Sequence, residues 1–152
     1  MAVVISLSAV VEAIESATDE SDSYLDPDTG EIVYVTEEMR DRVENNEIED
    51  APPWMLEDLP RVREALESGR YLSLPTKFDV HDWAIMEEFS RGQENAKVRN
   101  ELLDAIHGSG AFRMFKSAIR RLKIEDAWYR FRDEAVKQIA REWLEENNLQ
   151  YR

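Results

Sequence analysis

The chain has no cysteine and only two histidines among its 152 residues. The absence of cysteine excludes disulfides, thiol nucleophiles, iron–sulfur clusters and zinc sites built on thiolates. The first lysine or arginine is Arg40, so the apolar start of the chain lacks the positive region of a signal peptide. No stretch approaches the roughly 20 apolar residues of a membrane helix. We therefore expect a cytoplasmic protein that makes no contact with a membrane.

Positive charge is also scarce, and it is unevenly distributed. The chain has 33 acidic and 19 basic residues, a net charge of −14. Residues 1–70 contain 19 acidic and 5 basic residues, whereas residues 71–152 contain 14 of each. Positions 107–124 contain five basic residues and no acidic one. This pattern favours a protein partner with a basic surface for residues 12–67, while the basic segment indicates either a solvated face or an anion contact.

Local signals near the N-terminus predict a helix followed by a β-hairpin. Ser6 or Ser8 is a suitable N-cap for a helix that ends near Ala17. Two β-rich runs within 24–35 surround a turn of Asp-Pro-Asp-Thr-Gly, in which the glycine allows a positive φ. Thr36 then precedes two glutamates, which predicts the start of a short acidic helix.

The middle of the chain predicts a linker, a helix and a third strand. Residues 44–53 combine acidic residues, asparagine and two prolines, which is typical of a linker. Pro60 suits the first turn of a helix that Gly69 would end. Residues 71–74 alternate in polarity and stop at a proline, so we expect a third strand that supports the hairpin.

From Asp79 onward the apolar spacing is helical. Asp79 is predicted to cap a helix over 80–91, and three further helices follow, the last starting at Glu125 or Asp126. Gly108 is predicted to end the second of these four helices in the left-handed conformation. The residues predicted to face inward are Trp83, Ile85, Met86, Phe89, Val98, Leu102, Ala105, Ile106, Phe112, Phe115, Ile119, Leu122, Trp128, Phe131, Ala135, Ile139 and Trp143, with Tyr129 as the aromatic expected outside this stripe.

These elements predict an α+β fold in which a small antiparallel sheet near the N-terminus packs with a predominantly helical C-terminal half. We expect residues 1–152 to form a single domain. Within it, residues 1–50 form an acidic helix and hairpin, and residues 54–152 are mainly helical.

Four short pieces of the chain occur in the order found in a bacterial protein family. They are Ser-Tyr-Leu-Asp-x-x-Thr-Gly-Glu (23–31), Leu-Pro-x-Lys-Phe-Asp (74–79), Gly-x-Gly-Ala-Phe-x-x-Phe-Lys (108–116) and Trp-Tyr-x-Phe-Arg-Asp-Glu-Ala (128–135). So arranged, the chain resembles uncharacterised protein family 0158 over nearly its whole length. The resemblance implies a small cytoplasmic bacterial protein, and it brings no established activity, cofactor or catalytic residue.

The clearest candidate for ligand contact is the predicted helix after Gly110. Arg113, Lys116 and Arg120 follow at i, i+3 and i+7, which places them on one outward stripe, with Arg121 and Lys123 nearby. Free N–H groups at the helix start beside these cations favour a phosphate or carboxylate. We therefore predict an anion or nucleic-acid contact at residues 110–123.

Metal and catalytic signatures are weaker. His81, Asp82 and Glu88, with Glu87 beside them, have oxygen and nitrogen ligands for a divalent ion but no established ligand spacing. Ser109 lies in His-Gly-Ser-Gly, which lacks the spacing of a nucleophile elbow. Asp26, Asp28 and Gly30 lack the acidic twelfth position of a calcium loop. The sequence thus predicts no catalytic residue and no cofactor.

Three functional hypotheses follow. The leading one is a non-enzymatic binding or regulatory module. The second is a hydrolase-type enzyme that uses carboxylates and a divalent metal at His81, Asp82 and Glu88. The third is an inhibitor whose acidic half mimics nucleic acid and occupies the binding surface of a nucleic-acid-binding protein.

Overall fold

The computed structural model describes residues 3–152. Its first two helices begin where the chain supplies capping side chains. Strand β1 (Val4–Ile5) is followed by helix α1 (Leu7–Ser16), and the Ser6 hydroxyl accepts the backbone N–H three residues further on at 3.2 Å. Thr36 caps α2 (Glu37–Glu44) in the same way, also at 3.2 Å. Both predicted caps are therefore confirmed.

The predicted hairpin and third strand form one antiparallel sheet. Strands β2 (Ser21–Leu25), β3 (Ile32–Thr36) and β4 (Leu72–Ser73) lie in the order β3-β2-β4, so β2 is central and the other two are edges. Ser23 is opposite Tyr34 across the hairpin, and Tyr24 is opposite Ser73 on the other side. The sheet and the helices confirm the α+β prediction.

One face of this sheet packs on a helical layer. Helices α3 (Pro53–Leu56) and α4 (Leu59–Glu67) join α2 there, and Pro60 lies in the first turn of α4 as predicted. The predicted linker 44–53 forms the loop between α2 and α3, and Ala51 within it is buried. The buried residues of this cluster are Val33, Val35, Met39, Val43, Ala51, Met55, Leu59, Val62 and Ala65.

The following helices confirm the helical part of the prediction. They are α6 (Asp82–Arg91), α7 (Ala96–Ile106), α8 (Ala111–Arg121) and α9 (Glu125–Glu146). Phe89, Phe115 and Trp128 meet in a buried aromatic cluster, with the Phe115 and Trp128 ring centres 4.8 Å apart and edge to face. Burial of these large rings stabilises the packing of α6, α8 and α9.

The predicted cap at Asp79 is wrong. A short helix α5 (Lys77–Val80) comes first, and the chain passes through the left-handed region at His81 (φ 54°) before α6 begins. The Asp79 carboxylate accepts the Thr76 backbone N–H at 2.7 Å, and the Thr76 hydroxyl accepts the Asp79 N–H at 3.4 Å. This reciprocal pair is a capping box for α5, which explains why Asp79 does not start the longer helix.

Two aromatic residues predicted to face inward are exposed. Trp83 points partly to solvent and donates its indole N–H to the Ile106 carbonyl at 3.0 Å. Phe112 is 48% exposed, because the buried stripe of α8 is narrow and runs through Phe115, Ala118 and Ile119. On α9 the fully buried residues are Trp128, Val136, Ala140 and Leu144, and the predicted Phe131, Ala135, Ile139 and Trp143 flank them.

The described residues divide into two units of very different charge. The first unit consists of residues 3–79 and 139–152, and includes a parallel pair of β1 with β5 (Gln150–Tyr151). It has 23 acidic and 8 basic residues, a balance of −15. The second unit, residues 80–138, has 10 acidic and 11 basic residues, a balance of +1. The single-domain assignment, with its parts 1–50 and 54–152, stays a prediction.

None of the helices within residues 3–152 is both long and apolar enough to cross a lipid bilayer.

Candidate anion and nucleic-acid interface

The helix that carries the predicted basic stripe starts at a glycine with a left-handed backbone. Gly110 is the N-cap of α8, with φ 65° and ψ 39°, and no side chain caps the helix. The left-handed conformation therefore lies at Gly110, whereas the prediction placed it at Gly108, which has no positive φ. A β-carbon at Gly110 would lie 3.5 Å from the guanidinium of Arg113, so this cation folds back over the helix start. The free N–H groups and the guanidinium are thus close together.

Three cations continue from this point along one face of α8. Arg113 and Arg120 are exposed and Lys116 is half-buried, as expected from their i, i+3 and i+7 spacing. Arg113 and Lys116 form no ion pair with any residue in 3–152. The Arg120 side chain is 75% exposed, and its nearest carboxylate oxygen, on Glu125, is 3.9 Å away. Arg113 and Lys116 are therefore available to an anion in solvent, whereas Arg120 forms a long, exposed ion pair with Glu125 that a phosphate can replace.

Two exposed aromatic rings flank this row of cations. Phe112 is 48% exposed and Tyr129, on α9, is 45% exposed. The ammonium of Lys116 lies 5.9 Å from the centre of the Phe112 ring and 5.3 Å from that of Tyr129. Cation–π attraction holds the lysine between the rings without neutralising its charge. We call Gly110, Phe112, Arg113, Lys116, Arg120 and Tyr129 the α8 patch.

The remaining two predicted contact residues differ from the patch in their surroundings. The Arg121 guanidinium donates to the Glu101 carboxylate of α7 at 3.1 Å, so its charge is compensated within the second unit. Lys123 is exposed just beyond α8, in a left-handed conformation with φ 58°. A ligand on the α8 patch would therefore meet three cations directly, fewer than the five counted from the sequence.

An alternation of cations with exposed rings is the surface chemistry that binds single-stranded nucleic acids. Cations follow the phosphates, and bases stack on the aromatic faces with little dependence on sequence. A guanidinium can also bind a phosphate through two parallel hydrogen bonds. The α8 patch offers both kinds of contact within one helix and its neighbour.

The metal candidates lie around the start of α6. His81 and Glu88 are exposed, and the Asp82 carboxylate accepts a hydrogen bond from the Arg132 guanidinium at 2.9 Å. In the part of the chain that the structure describes, 3–152, no three histidine, aspartate or glutamate side chains group closely enough to hold a metal ion. Asp82 thus has a structural partner on α9.

The exposed position of Phe112 is the feature that sequence reasoning missed. Helical spacing aligned it with Phe115 and Ile119, and apolar residues at such spacing are normally core. A signal was nonetheless present, because Phe112 is four residues before Lys116 and beside Arg113, which places it near the basic stripe. The expected exposure of Tyr129 is found in the structure.

Comparison with known proteins identifies a family profile that covers the whole chain and a relative that covers most of it. Residues 1–152 match the profile of an uncharacterised protein family, UPF0158. The chain is 25% identical over 130 residues to the UPF0158 protein PA5073 of Pseudomonas aeruginosa, an alignment that covers 85% of this chain and 74% of that relative. No solved structure matches the chain.

Proposed function

Since the chain belongs to the uncharacterised protein family UPF0158, whose description names no activity, we propose a function from the geometry: a non-enzymatic binding protein that contacts single-stranded nucleic acid through the α8 patch. The observation that carries the proposal is the position of Lys116 between two exposed rings, Phe112 and Tyr129, in line with Arg113 and Arg120. Solvent-exposed rings of this size gain contact area only when a ligand covers them.

The rings favour a single strand over a duplex. Phosphates of either form can pair with Arg113, Lys116 and Arg120, but only unpaired bases can stack on an exposed ring. Stacking on an aromatic side chain contributes about 1–3 kcal/mol per base. Two rings and three cations therefore suit a short single-stranded segment. Such binding requires neither a duplex groove nor a particular base sequence.

The net charge of −14 is the main physical objection to this function. Repulsion of a polyanion acts over the Debye length, about 8 Å at physiological salt, so exposed carboxylates farther than that from the phosphates are largely screened. The unit that contains the patch has a balance of +1. Local attraction at the patch can therefore exceed the long-range repulsion at physiological salt.

The test is binding of a fluorescent oligothymidylate, an oligouridylate and the matching duplex, measured by anisotropy at several salt concentrations. Three phosphate contacts on a single strand predict a slope of log K against log salt of about −2. Such a slope means that affinity falls about sixteenfold when salt rises from about 50 to 200 mM. Single strands are expected to bind more tightly than the duplex.

Three double variants separate the contributions to binding. Arg113→Glu with Lys116→Glu is expected to abolish it, and Phe112→Ala with Tyr129→Ala to weaken it about tenfold or more, by loss of stacking. Arg91→Glu with Lys137→Glu makes the same charge change at two exposed cations outside the patch and is expected to leave most of the affinity intact. Absence of salt-sensitive binding by the wild type at about 50 mM salt, or equal losses in the control, would refute the proposal.

A further inference from the structure

Strand β3 pairs with β2 on one side, and on its other side no strand within residues 3–152 pairs with it. The Asp26 N–H donates to the Glu31 carbonyl at 2.8 Å, and the Glu37 N–H donates to the Glu20 carbonyl at 2.8 Å. Because hydrogen-bonded pairs alternate along an antiparallel ladder, the residues of β3 that bond to β2 are Val33 and Val35. The N–H and C=O groups of Ile32 and Tyr34, and the N–H of Thr36, therefore point away from the sheet.

A hydrogen bond on the other side of β2 supports the same assignment of inward-pointing and outward-pointing backbone groups. The Leu74 N–H donates to the Ser23 carbonyl at 3.0 Å, so the polar groups of Ser23 point to β4 and not to Tyr34. Tyr34 is opposite Ser23 in the hairpin, and this pair is consequently not hydrogen-bonded across the strands. Its backbone groups remain available for another chain.

The opposite edge of the sheet, formed by β4, is covered by a side chain. In β4 the outward-facing residue is Ser73, and its carbonyl accepts the indole N–H of Trp143 at 3.1 Å. Natural sheets commonly protect an edge by covering it, because an open edge pairs with other chains. The β4 edge is protected in this way, whereas no residue in 3–152 hydrogen-bonds the outward groups of Ile32 and Tyr34.

A groove runs along the open edge and contains an exposed tryptophan. Two adjoining cavities of about 380 and 520 Å³ share Tyr34, Thr36 and Trp54 in their walls. Trp54 lies on α3 and is 62% exposed, and the Tyr34 ring is held at the edge because its hydroxyl donates to Ser21 Oγ at 2.7 Å. A chain added to β3 would therefore have an aromatic surface for its side chains, as in other complexes formed by strand addition.

The charge of this groove selects the partner. Its walls contain five carboxylates, Glu20, Glu37, Glu38, Asp41 and Asp58, and one cation, Arg61, which pairs with Glu31. Glu38 pairs with Arg42, and none of the other four carboxylates forms an ion pair with another residue in 3–152. A ligand that supplies lysine or arginine would compensate these carboxylates, which are near one another along the edge. A second copy of this chain would instead bring the same carboxylates together, and like charges across paired strands are destabilising.

We propose that β3 binds an extended basic segment of a partner protein as an added strand, with Trp54 packing against an apolar side chain of that segment. The backbone groups of Ile32 and Tyr34 would form the ladder, and Glu37 and Asp41 would attract the basic residues. This site lies in the first unit and is independent of the function proposed for the α8 patch.

The experiment selects ligands from a displayed library of random peptides of about ten residues, the upper range of natural strands. Enriched peptides are expected to contain lysine or arginine together with an apolar residue. The best peptide is then synthesised with and without N-methyl groups on its backbone, which remove the ladder donors but keep the charge. Affinity for the N-methylated peptide is expected to fall about tenfold or more. Equal affinities, or a library without enrichment, would overturn the proposal.

Hydrogen exchange followed by NMR locates the bound segment. The amides of Ile32 and Tyr34 are expected to become protected when the peptide is added, whereas those of Val33 and Val35 are already protected by β2. Binding without this protection would show side-chain docking only and would contradict strand addition. Protection that appears without peptide and grows with protein concentration would identify a second copy as the occupant, and would also contradict the proposal.

Variants with matched controls test the two side-chain contributions. Trp54→Ala is expected to weaken peptide binding about tenfold, whereas Phe78→Ala, which removes a ring that is 86% exposed elsewhere in the first unit, is expected to change it less than twofold. Glu37→Gln with Asp41→Asn is expected to weaken binding about fivefold, and Glu49→Gln with Asp50→Asn to leave it unchanged. Equal effects in variant and control would refute the assignment of the groove.

Discussion

The two units both expose aromatic rings, but they surround those rings with opposite charge. In the first unit Trp54 and Tyr34 are exposed among carboxylates, most of which form no ion pair within residues 3–152, and the unit has a balance of −15. In the second unit Phe112 and Tyr129 are exposed on either side of Lys116, and the unit has a balance of +1. In both proposals the charges beside the rings, rather than the rings themselves, determine the class of ligand.

The net charge of the chain is a poor guide to its ligands, because the charge is confined to one unit. A value of −14 suggests a protein that repels all polyanions, yet it comes entirely from the first unit. Because salt screens distant charges, the electrostatic potential at each surface depends mainly on the charged residues close to it. The two proposals, for ligands of opposite charge, are therefore compatible within one chain.

The largest expected effect distinguishes buried from exposed rings within the second unit. Trp128→Ala is expected to lower the free energy of unfolding by about 3–5 kcal/mol, because Trp128 is 1% exposed and packs against Phe89 and Phe115. Tyr129→Ala is expected to lower it by about 0.5 kcal/mol, as for other surface positions, while weakening oligonucleotide binding. Urea unfolding and anisotropy measure the two properties. Similar losses of stability in the two variants would contradict the surface role of Tyr129.

An effect of intermediate size concerns Asp26, the one carboxylate that is buried among residues 3–152. Asp26 is 4% exposed and accepts hydrogen bonds from the Asp28 backbone N–H at 2.9 Å and from Arg70 at 2.8 Å. Burial raises the pKa of Asp26, but hydrogen bonds from the Asp28 N–H and the Thr29 hydroxyl, together with the charge of Arg70, outweigh it, so the pKa lies below its usual value. Asp26→Asn is expected to cost about 1–3 kcal/mol at neutral pH.

The pH dependence of this cost follows from the direction of the pKa shift. A carboxylate with a lowered pKa in the folded state stabilises the fold above the unfolded pKa, about 3.9, and the stabilisation is lost as the pH falls through the folded pKa. The difference in unfolding free energy between wild type and Asp26→Asn should therefore shrink below about pH 4. Asp28→Asn is the control, since Asp28 shares Arg70 but is exposed. A difference that is constant from neutral pH to about pH 3 would contradict this account.

Local signals predicted most of the fold, and the failures have physical reasons. Ser6, Thr36 and the hairpin turn depend on neighbouring residues, so their roles can be predicted from short segments. The pairing of β1 with β5 joins the two ends of the described chain and has only two residues in each strand, which leaves no periodic signal. The outward direction of the α8 cations was predicted correctly. The exposure of Phe112 was not, because it depends on how wide a face of α8 is covered by α6, α7 and α9.

The smallest expected effect tests whether a cation that is already paired with a carboxylate contributes to oligonucleotide binding. Arg121 was predicted from the sequence as a contact residue, yet it donates to Glu101 at 3.1 Å, whereas Arg113 forms no ion pair with a residue in 3–152. Arg121→Ala is therefore expected to change oligonucleotide affinity less than twofold, while Arg113→Ala weakens it about fivefold. Glu101→Gln releases the Arg121 charge and is expected to strengthen binding slightly and to steepen the salt slope by about 0.7, the contribution of one further phosphate contact on a single strand. If Arg121→Ala weakens binding as much as Arg113→Ala, the pair with Glu101 opens when the ligand binds, and the interface extends from the α8 patch toward α7.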